Sequence, residues 1–255
     1  MTGPVKLAIA GCCGRMGTRI ASLAVADGAF ALVGALESPG HAMAGKPFGA
    51  HVGRAELAVR VLSDAREAFA PAEVIVDFTT PAATREHVQA AHALKKGMVI
   101  GTTGLTEAQL DELRAASKTI PVVFSPNMSL GVNVLYEVAR TALARLGSGF
   151  DVEIVEAHHR QKKDSPSGTA KRLAQLLAAA RGVPAESLPV HAVRAGDIVG
   201  DHTVILAGPS ERLELTHRAH SRDVFAQGAL AAARFVRGRR PGLYDMSDVL
   251  KGADG

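Results

Sequence analysis

A short apolar run, Val5-Lys-Leu-Ala-Ile-Ala10, is followed at once by Gly11-Cys-Cys-Gly14-Arg-Met-Gly17 and then by a stretch with helical spacing. That succession restricts the possible folds more than any other feature of the chain. A buried strand that ends in a glycine turn opening a helix is the first half of a βαβ unit. Gly11 permits the tight turn, Gly14 lets backbone approach a pyrophosphate, and Gly17 lets the helix lie close to the sheet. The helix is expected over Arg15 to Asp27, with Met16, Ile20, Leu23 and Ala24 on one face and Gly28 as its stop. Glu37 ends the next strand about 20 residues past Gly17, where an acidic residue binds ribose hydroxyls. The competing reading is a glycine turn with a structural role only.

The same rhythm continues. Phe30–Leu36, Val74–Asp77, Met98–Gly101 and Pro121–Ser125 read as short buried strands. Between them, Ser63 caps a short helix ending near Phe69. Pro81 opens a helix running to Lys96, with Gly97 as the stop. Thr106 and Gln109 form a capping box for a helix reaching about Lys118. Residues 38–56 read as a loop. Strand and helix alternating with short connections predict a doubly wound, Rossmann-like parallel sheet.

The pattern then changes. Leu130–Leu146 is a long apolar-periodic helix and Phe150–Ala157 alternates as a strand does. A later helix places Leu173, Leu176, Leu177 and Ala180 on one stripe. Val190–Arg194, His202–Ala207 and Arg212–His217 follow at hairpin-like spacing. The fold class is therefore α/β, with a second α+β domain built on a mostly antiparallel or mixed sheet. Phe225–Arg237 is amphipathic and suits the first domain's helical layers. The expected organisation is a dinucleotide-binding domain over 1–127, a substrate-binding and oligomerisation domain over 128–221, and a return to the first domain over 222–255.

Composition bears on partners. The net charge is +4, but the charges are spread and aromatic residues make up only 4% of the chain. Base stacking would have few rings to use, so no nucleic-acid partner is expected. No apolar run reaches the ~20 residues of a membrane span, and no membrane partner is expected. Met1–Lys6 runs straight into a strand without the segments of a secretory leader, and Cys12 and Cys13 are adjacent. Both favour a cytoplasmic protein with reduced thiols.

Candidate binding residues gather at predicted strand ends. Thr79, Thr80 and Pro81 follow one strand, Gly101, Thr102, Thr103 and Gly104 the next, and Ser125, Pro126, Asn127 and Met128 the last. Open α/β sheets bind ligands there, although each group taken alone is also ordinary turn chemistry. The segment Glu156-Ala-His-His-Arg-Gln-Lys-Lys-Asp-Ser-Pro-Ser-Gly-Thr-Ala170 is of a different kind. His158 titrates near neutrality and can transfer a proton. His159, Lys162 and Lys163 stand near it, and Asp164 orients a lysine or caps a helix. Ser167, Gly168 and Thr169 begin a helix whose free amides attract an anion. Metal-ligand spacing such as H-E-x-x-H is absent, so no metal is expected.

These residues resemble the 4-hydroxy-tetrahydrodipicolinate reductase family, historically dihydrodipicolinate reductase, of the bacterial diaminopimelate–lysine pathway. The likeness runs nearly end to end. It covers Gly11–Gly17, Val76–Thr79, Gly101–Gly104, Asn127 with Gly131–Val134, Glu156–His159 and Pro166–Ala170. It continues through Arg194–Gly196, Ile198–Gly200 with His202–Val204, Phe225–Ala229, Pro241–Met246 and Asp248–Leu250. The H-H-x-x-K-x-D-x-P-S-G-T stretch is specific to that family. The resemblance implies a homotetramer that reduces a small cyclic dicarboxylate with NADH, NADPH or both. It implies that His158 and Lys162 are the proton-transfer pair and that His159, Gly168 and Thr169 hold the substrate. Gly11, Cys12, Cys13, Gly14, Arg15, Met16, Glu37, Gly101–Thr103 and Ser125–Met128 would line the cofactor, with Arg222 and Phe225 nearby. Ser165 stands where alanine is common. Ser38 and Thr80 stand where some relatives carry arginine, and a carboxylate at Glu37 repels a 2′-phosphate; both argue against strict NADPH use, with Arg15 left as a phosphate partner. Two rival readings are another two-domain amino-acid dehydrogenase and a dinucleotide sensor without turnover; the sensor would need no proton donor at His158 or Lys162.

Overall fold

The computed structural model describes residues 3–252. The first two positions of the opening segment and the last three of the 222–255 stretch lie outside them. Contacts divide the chain into two compact units, Met1–Met128 with Phe225–Gly255, and Ser129–Val224. The first unit begins β1 (Val5–Ala10), α1 (Arg15–Ala26), β2 (Phe30–Leu36), β3 (Val61–Leu62), α2 (Ala65–Phe69) and β4 (Val74–Asp77). It continues with α3 (Pro81–Leu94), β5 (Gly97–Ile100), α4 (Glu107–Ser117) and β6 (Pro121–Phe124). The second holds α5 (Leu130–Leu146), β7 (Asp151–His158), α6 (Gly168–Arg181), β8 (Val190–Arg194), β9 (Asp201–Ala207) and β10 (Arg212–Arg218). The helix α7 (Asp223–Val236) leads back, and β11 (Gly242–Tyr244) and α8 (Met246–Lys251) follow.

In the first unit the strand order is β11-β6-β5-β4-β1-β2-β3, with every neighbouring pair parallel. Leu7 and Ile9 point to one side of β1, Ala8 and Ala10 to the other, and all four are buried. Burial of both faces is what an all-parallel sheet requires. On one face Ile75, Met98, Ile100 and Val122 pack with Phe69, Val88 and Leu113 from α2, α3 and α4. The order turns at β1, with β2 on one side and β4 on the other. The segments leaving β1 and β4 therefore diverge, which opens a crevice at their carboxyl ends.

The second sheet has the order β10-β9-β7-β8. Here β9 is antiparallel to both β7 and β10, but β8 is parallel to β7. The hairpin-like spacing of the late strands thus holds for β9 and β10 only. Between β7 and β8 the helix α6 carries the chain back, making a βαβ unit and a mixed sheet. Val152, Ile154, Val204 and Leu206 face Leu135 and Leu143 of α5 and Leu173 and Leu177 of α6.

Several boundaries differ from expectation for local reasons. Asp64, not Ser63, caps α2, because its carboxylate accepts the Glu67 N–H at 2.8 Å. Lys95 ends α3 in the left-handed conformation (φ 55°), and Gly97 is already the first residue of β5. Ala180 is exposed, while Ala170, Ala174 and Ala178 join Leu173 and Leu177 on the buried side of α6. On α1 the buried residues are Gly17, Ile20, Ala21 and Ala24, with Met16 and Leu23 half-buried. Among the described residues no helix is long and apolar enough to cross a membrane.

The helix α7 packs on the chain just after β6. A Cβ at Gly228 would lie 1.7 Å from the Met128 carbonyl oxygen, so only glycine fits without a backbone shift. Gly228→Ala tests this contact. Helix propensity alone would favour alanine by about 1 kcal/mol. The clash is expected to reverse that sign and give a net loss of about 2 kcal/mol, lowering Tm by about 5 °C in thermal unfolding. An unchanged or higher Tm would show that the two backbones are not in that contact.

Candidate functional site

In the first unit the crevice is built from three strand ends. After β1, Gly11 turns with φ +68°, and a Cβ there would lie 2.7 Å from Thr79 Cγ2. A Cβ at Gly17 would lie 2.0 Å from the Gly11 carbonyl oxygen, so α1 rests directly on the turn. Gly14 precedes α1 without a side-chain cap, and the first turn of α1 holds no acidic residue. By contrast α3, α4, α5 and α6 are capped by Thr80, Thr106, Ser129 and Ser167. The first-turn amides of α1 are thus left for an external acceptor, and an anion suits them best. After β2, Glu37 accepts N–H bonds from Cys13 at 3.1 Å and from Ser38 at 2.9 Å, which fixes its carboxylate beside the turn. A cavity of about 690 Å³ is lined by Gly11, Gly14, Glu37, Ser38, Arg66 and Thr79, among others.

Other expected cofactor residues lie elsewhere in this unit or serve it indirectly. Arg15 and Thr103 are exposed, Met16 is half-buried and Cys12 is buried. A Cβ at Gly101 would lie 2.2 Å from the Phe78 ring, so this glycine makes room for the aromatic side chain. Thr102 is buried, and its hydroxyl accepts from the Thr79 amide and the Thr84 hydroxyl and donates to Asp77. Asp77 also holds His87 Nδ1 at 2.8 Å and takes the Thr79 hydroxyl at 2.6 Å. This network, unforeseen in the sequence, stiffens the Phe78–Thr80 turn. Ser125 donates to the Asn127 carbonyl, Pro126 is exposed, and Met128 is buried against α7.

In the second unit a buried carboxylate meets an imidazole. Period two puts Glu156 and His158 on the same face of β7, and both are buried. Glu156 receives His158 Nδ1 at 2.5 Å, the Ser167 amide at 3.0 Å, and two Arg194 N–H groups at 2.8 and 2.7 Å. Burial pushes its carboxyl up, but the bonds from Arg194, His158 and Ser167 outweigh that and hold it below the usual carboxylate value. An ionised Glu156 keeps the hydrogen on Nδ1 of His158 and leaves Nε2 as the exchanging atom. That Nε2 lies beside Gly200, where a Cβ would stand 3.0 Å away. Burial lowers the proton affinity of His158, Lys162 and Arg194 push the same way, and Glu156 only partly opposes them. Lys162 Nζ is held by Asp164 at 2.9 Å, so Asp164 orients the lysine.

Ser167 carries a different load from the one expected. It is buried; its amide serves Glu156, and its hydroxyl takes the Ala170 amide and meets His202 Nε2 at 3.2 Å. Gly168 is exposed and Thr169 half-buried at the start of α6, while Lys163 is exposed. Nδ1 of His159 and Nδ1 of His202 are buried without a hydrogen-bond partner among the described residues. Most buried polar atoms are paired, and a water molecule or a polar ligand would satisfy these two.

Comparison with known proteins covers both units. Residues 5–128 match the family described as dihydrodipicolinate reductase, N-terminus, and residues 131–250 its C-terminus. This chain belongs to the dihydrodipicolinate reductase family. A 4-hydroxy-tetrahydrodipicolinate reductase of Thiobacillus denitrificans is 48% identical over 96% of this chain and 98% of its own length. One from Anaeromyxobacter dehalogenans is 44% identical over 96% and 97%. A solved dipicolinate-bound dihydrodipicolinate reductase from Paenisporosarcina sp. has a TM-score of 0.81 at 24% identity, covering 95% of this chain and 97% of that one. At that identity the likeness speaks for the fold. The family is one of dinucleotide-dependent oxidoreductases of lysine biosynthesis. The uncapped α1 amides and the fixed Glu37 carboxylate of this dihydrodipicolinate reductase family member fit such a group.

The packing of His202 has a measurable consequence. Burial lowers its pKa to about 4, with the His158 ring, 5.2 Å away, and the His217 and Lys162 charges adding to the effect and Glu156 opposing it. The folded state thus prefers neutral His202. Its contribution to stability is complete above the unfolded value near 6.5 and is lost as pH falls from there through about 4. The loss is on the order of 3 kcal/mol at about 1.4 kcal/mol per unit. Urea unfolding across this range should show that slope, and His202→Gln should flatten it. An equal slope in the variant would remove His202 as its source.

Proposed function

We propose that this chain reduces 4-hydroxy-tetrahydrodipicolinate to tetrahydrodipicolinate with NADH or NADPH in diaminopimelate and lysine biosynthesis. The observation that carries the reading is the imidazole of His158, fixed through Nδ1 by a buried carboxylate and flanked by Lys162, in the family's C-terminal half. Loss of the 4-hydroxyl as water leaves a conjugated ring, and the bound dinucleotide would supply a hydride to its unsaturated carbon. The α1 amides after Gly14 would hold the dinucleotide's pyrophosphate, and Glu37 would accept from its ribose hydroxyls. Gly168 and Thr169 amides and the Lys162 ammonium neutralise the substrate carboxylates, so charge is positioned before reaction. The His158–Lys162 pair supplies the single proton that quenches the developing enamine, with Nε2 as the imidazole atom that exchanges it. Glu156 holds the ring in its tautomer, and Arg194 holds Glu156.

Replacing both His158 and Lys162 by alanine should leave dinucleotide binding nearly intact and lower turnover by about 10³-fold or more. Loss of reduced-nicotinamide absorbance with freshly made substrate is the readout. Turnover surviving within about tenfold would reject the assigned roles.

For the cofactor, Glu37 favours NADH, with NADPH also accepted. Glu37→Ala should weaken NADH binding more than NADPH binding in fluorescence titrations, and an equal effect on both would remove Glu37 as the ribose ligand. A cytoplasmic homotetramer accompanies this reading. Helices cover one face of the second sheet, whereas Val155, Ala157, Val193 and Ile205 on its other face are not buried within the chain.

A further inference from the structure

Nothing in the proposed reaction uses the sulfur of Cys12 or Cys13. Their Sγ atoms lie 3.7 Å apart in the turn between β1 and α1. With a Glu37 carboxylate oxygen they make three ligand atoms within 4.8 Å of one another, the only such convergence of His, Cys, Asp or Glu among the described residues. The sulfur spacing is informative. Two thiolates each ~2.3 Å from one tetrahedral zinc ion sit ~3.8 Å apart. A disulfide suits the pair poorly, because bridged cysteines usually have Cα atoms ~4.4–6.8 Å apart and chain neighbours only ~3.8 Å.

The surroundings suit a soft cation. Cys12 is buried and Cys13 half-buried. The Glu37 carboxylate is aimed by the Cys13 and Ser38 amides, as ligating carboxylates are commonly aimed by outer hydrogen bonds. Those two bonds leave lone pairs on both carboxylate oxygens.

We propose that Cys12, Cys13 and Glu37 form a three-ligand site for a soft divalent cation of the zinc class, and that filling it opposes dinucleotide binding. Binding replaces two S–H bonds with two metal–sulfur bonds, adds one metal–oxygen bond and releases two protons to solvent, with no change of oxidation state. Burial pushes both thiols up, so they hold their protons at neutral pH and metal affinity rises with pH. The opposition comes from Glu37, one carboxylate wanted by both the metal and the ribose. That half of the proposal rests on the dinucleotide reading above; the metal half does not.

The test is calorimetric titration of Zn²⁺ into the reduced, metal-free full-length chain, in buffers of differing ionisation enthalpy. One zinc per chain should bind with release of about two protons. Cys13→Ser and Glu37→Gln should each weaken binding at least about tenfold, with far-ultraviolet circular dichroism unchanged. Zinc should also protect Cys13 of the unmodified chain from alkylation by iodoacetamide, a readout that needs no variant to fold. Failure of the chain to take up zinc, uptake by both variants at parental affinity, or alkylation unaffected by zinc would each overturn the site. NADH titration with and without saturating zinc tests the second half. A rise of about tenfold or more in apparent Kd supports it, and an unchanged Kd overturns it. Failure of the metal-free chain to bind NADH at all would instead sink the dinucleotide reading and leave the zinc result standing.

Discussion

One buried carboxylate organises the second unit. Glu156 has no solvent exposure, and its oxygens collect donors from β7 itself, from β8 through Arg194 and from the start of α6 through Ser167. Burying an unpaired carboxylate costs several kcal/mol, so the fold keeps it only because those donors are present. The strand register makes this possible. His158 lies opposite Arg194, and Glu156 opposite His202, across adjacent ladders. A shift of one residue would turn Glu156 and His158 to the other face and dissolve the arrangement. The orientation of His158, the cap of α6 and the seat of His202 therefore share one cause.

The first unit depends on closeness in place of charge. Gly11, Gly17, Gly101 and Gly228 each stand where a Cβ would meet another group at well under normal contact distance. Three of those contacts bring a backbone or a ring against the carboxyl edge of the sheet. The crevice has its shape because side chains were left out of it.

Long periodic segments were legible from sequence. Leu130–Leu146 and Val5–Ala10 have the expected bounds, and the capping box at Thr106 and Gln109 is present. The two shortest strands were not. β3 has 2 residues and β11 has 3, too few for a period to declare itself. The parallel pairing of β8 with β7 was hidden for a different reason: chain order says which strand comes next, not which becomes its neighbour. At the site, the exposed or loop-borne groups announced themselves through glycine spacing and crowded charge. Apart from Asp164, which holds Lys162, the groups that hold them did not. Glu156, Arg194 and His202 are far apart in sequence or look like strand residues, and only register unites them. A signal existed nonetheless, since a Glu two positions before a His in a strand must share its face. Asp77, closing the otherwise apolar run Val74-Ile-Val, was a similar sign of a buried polar hub.

The discontinuity of the first unit governs how the molecule comes into being on the ribosome. β11 completes the edge of the parallel sheet beside β6, and α7 seats its Gly228 on Met128, yet Gly228 and β11 are translated after the whole of Ser129–Val224. The first unit must wait with a bare sheet margin while roughly a hundred intervening residues emerge and condense on their own, as domains generally fold as units during synthesis. An unpaired margin of that kind invites pairing with other nascent chains, which makes the closing strand β11 a guard against aggregation as well as a piece of architecture.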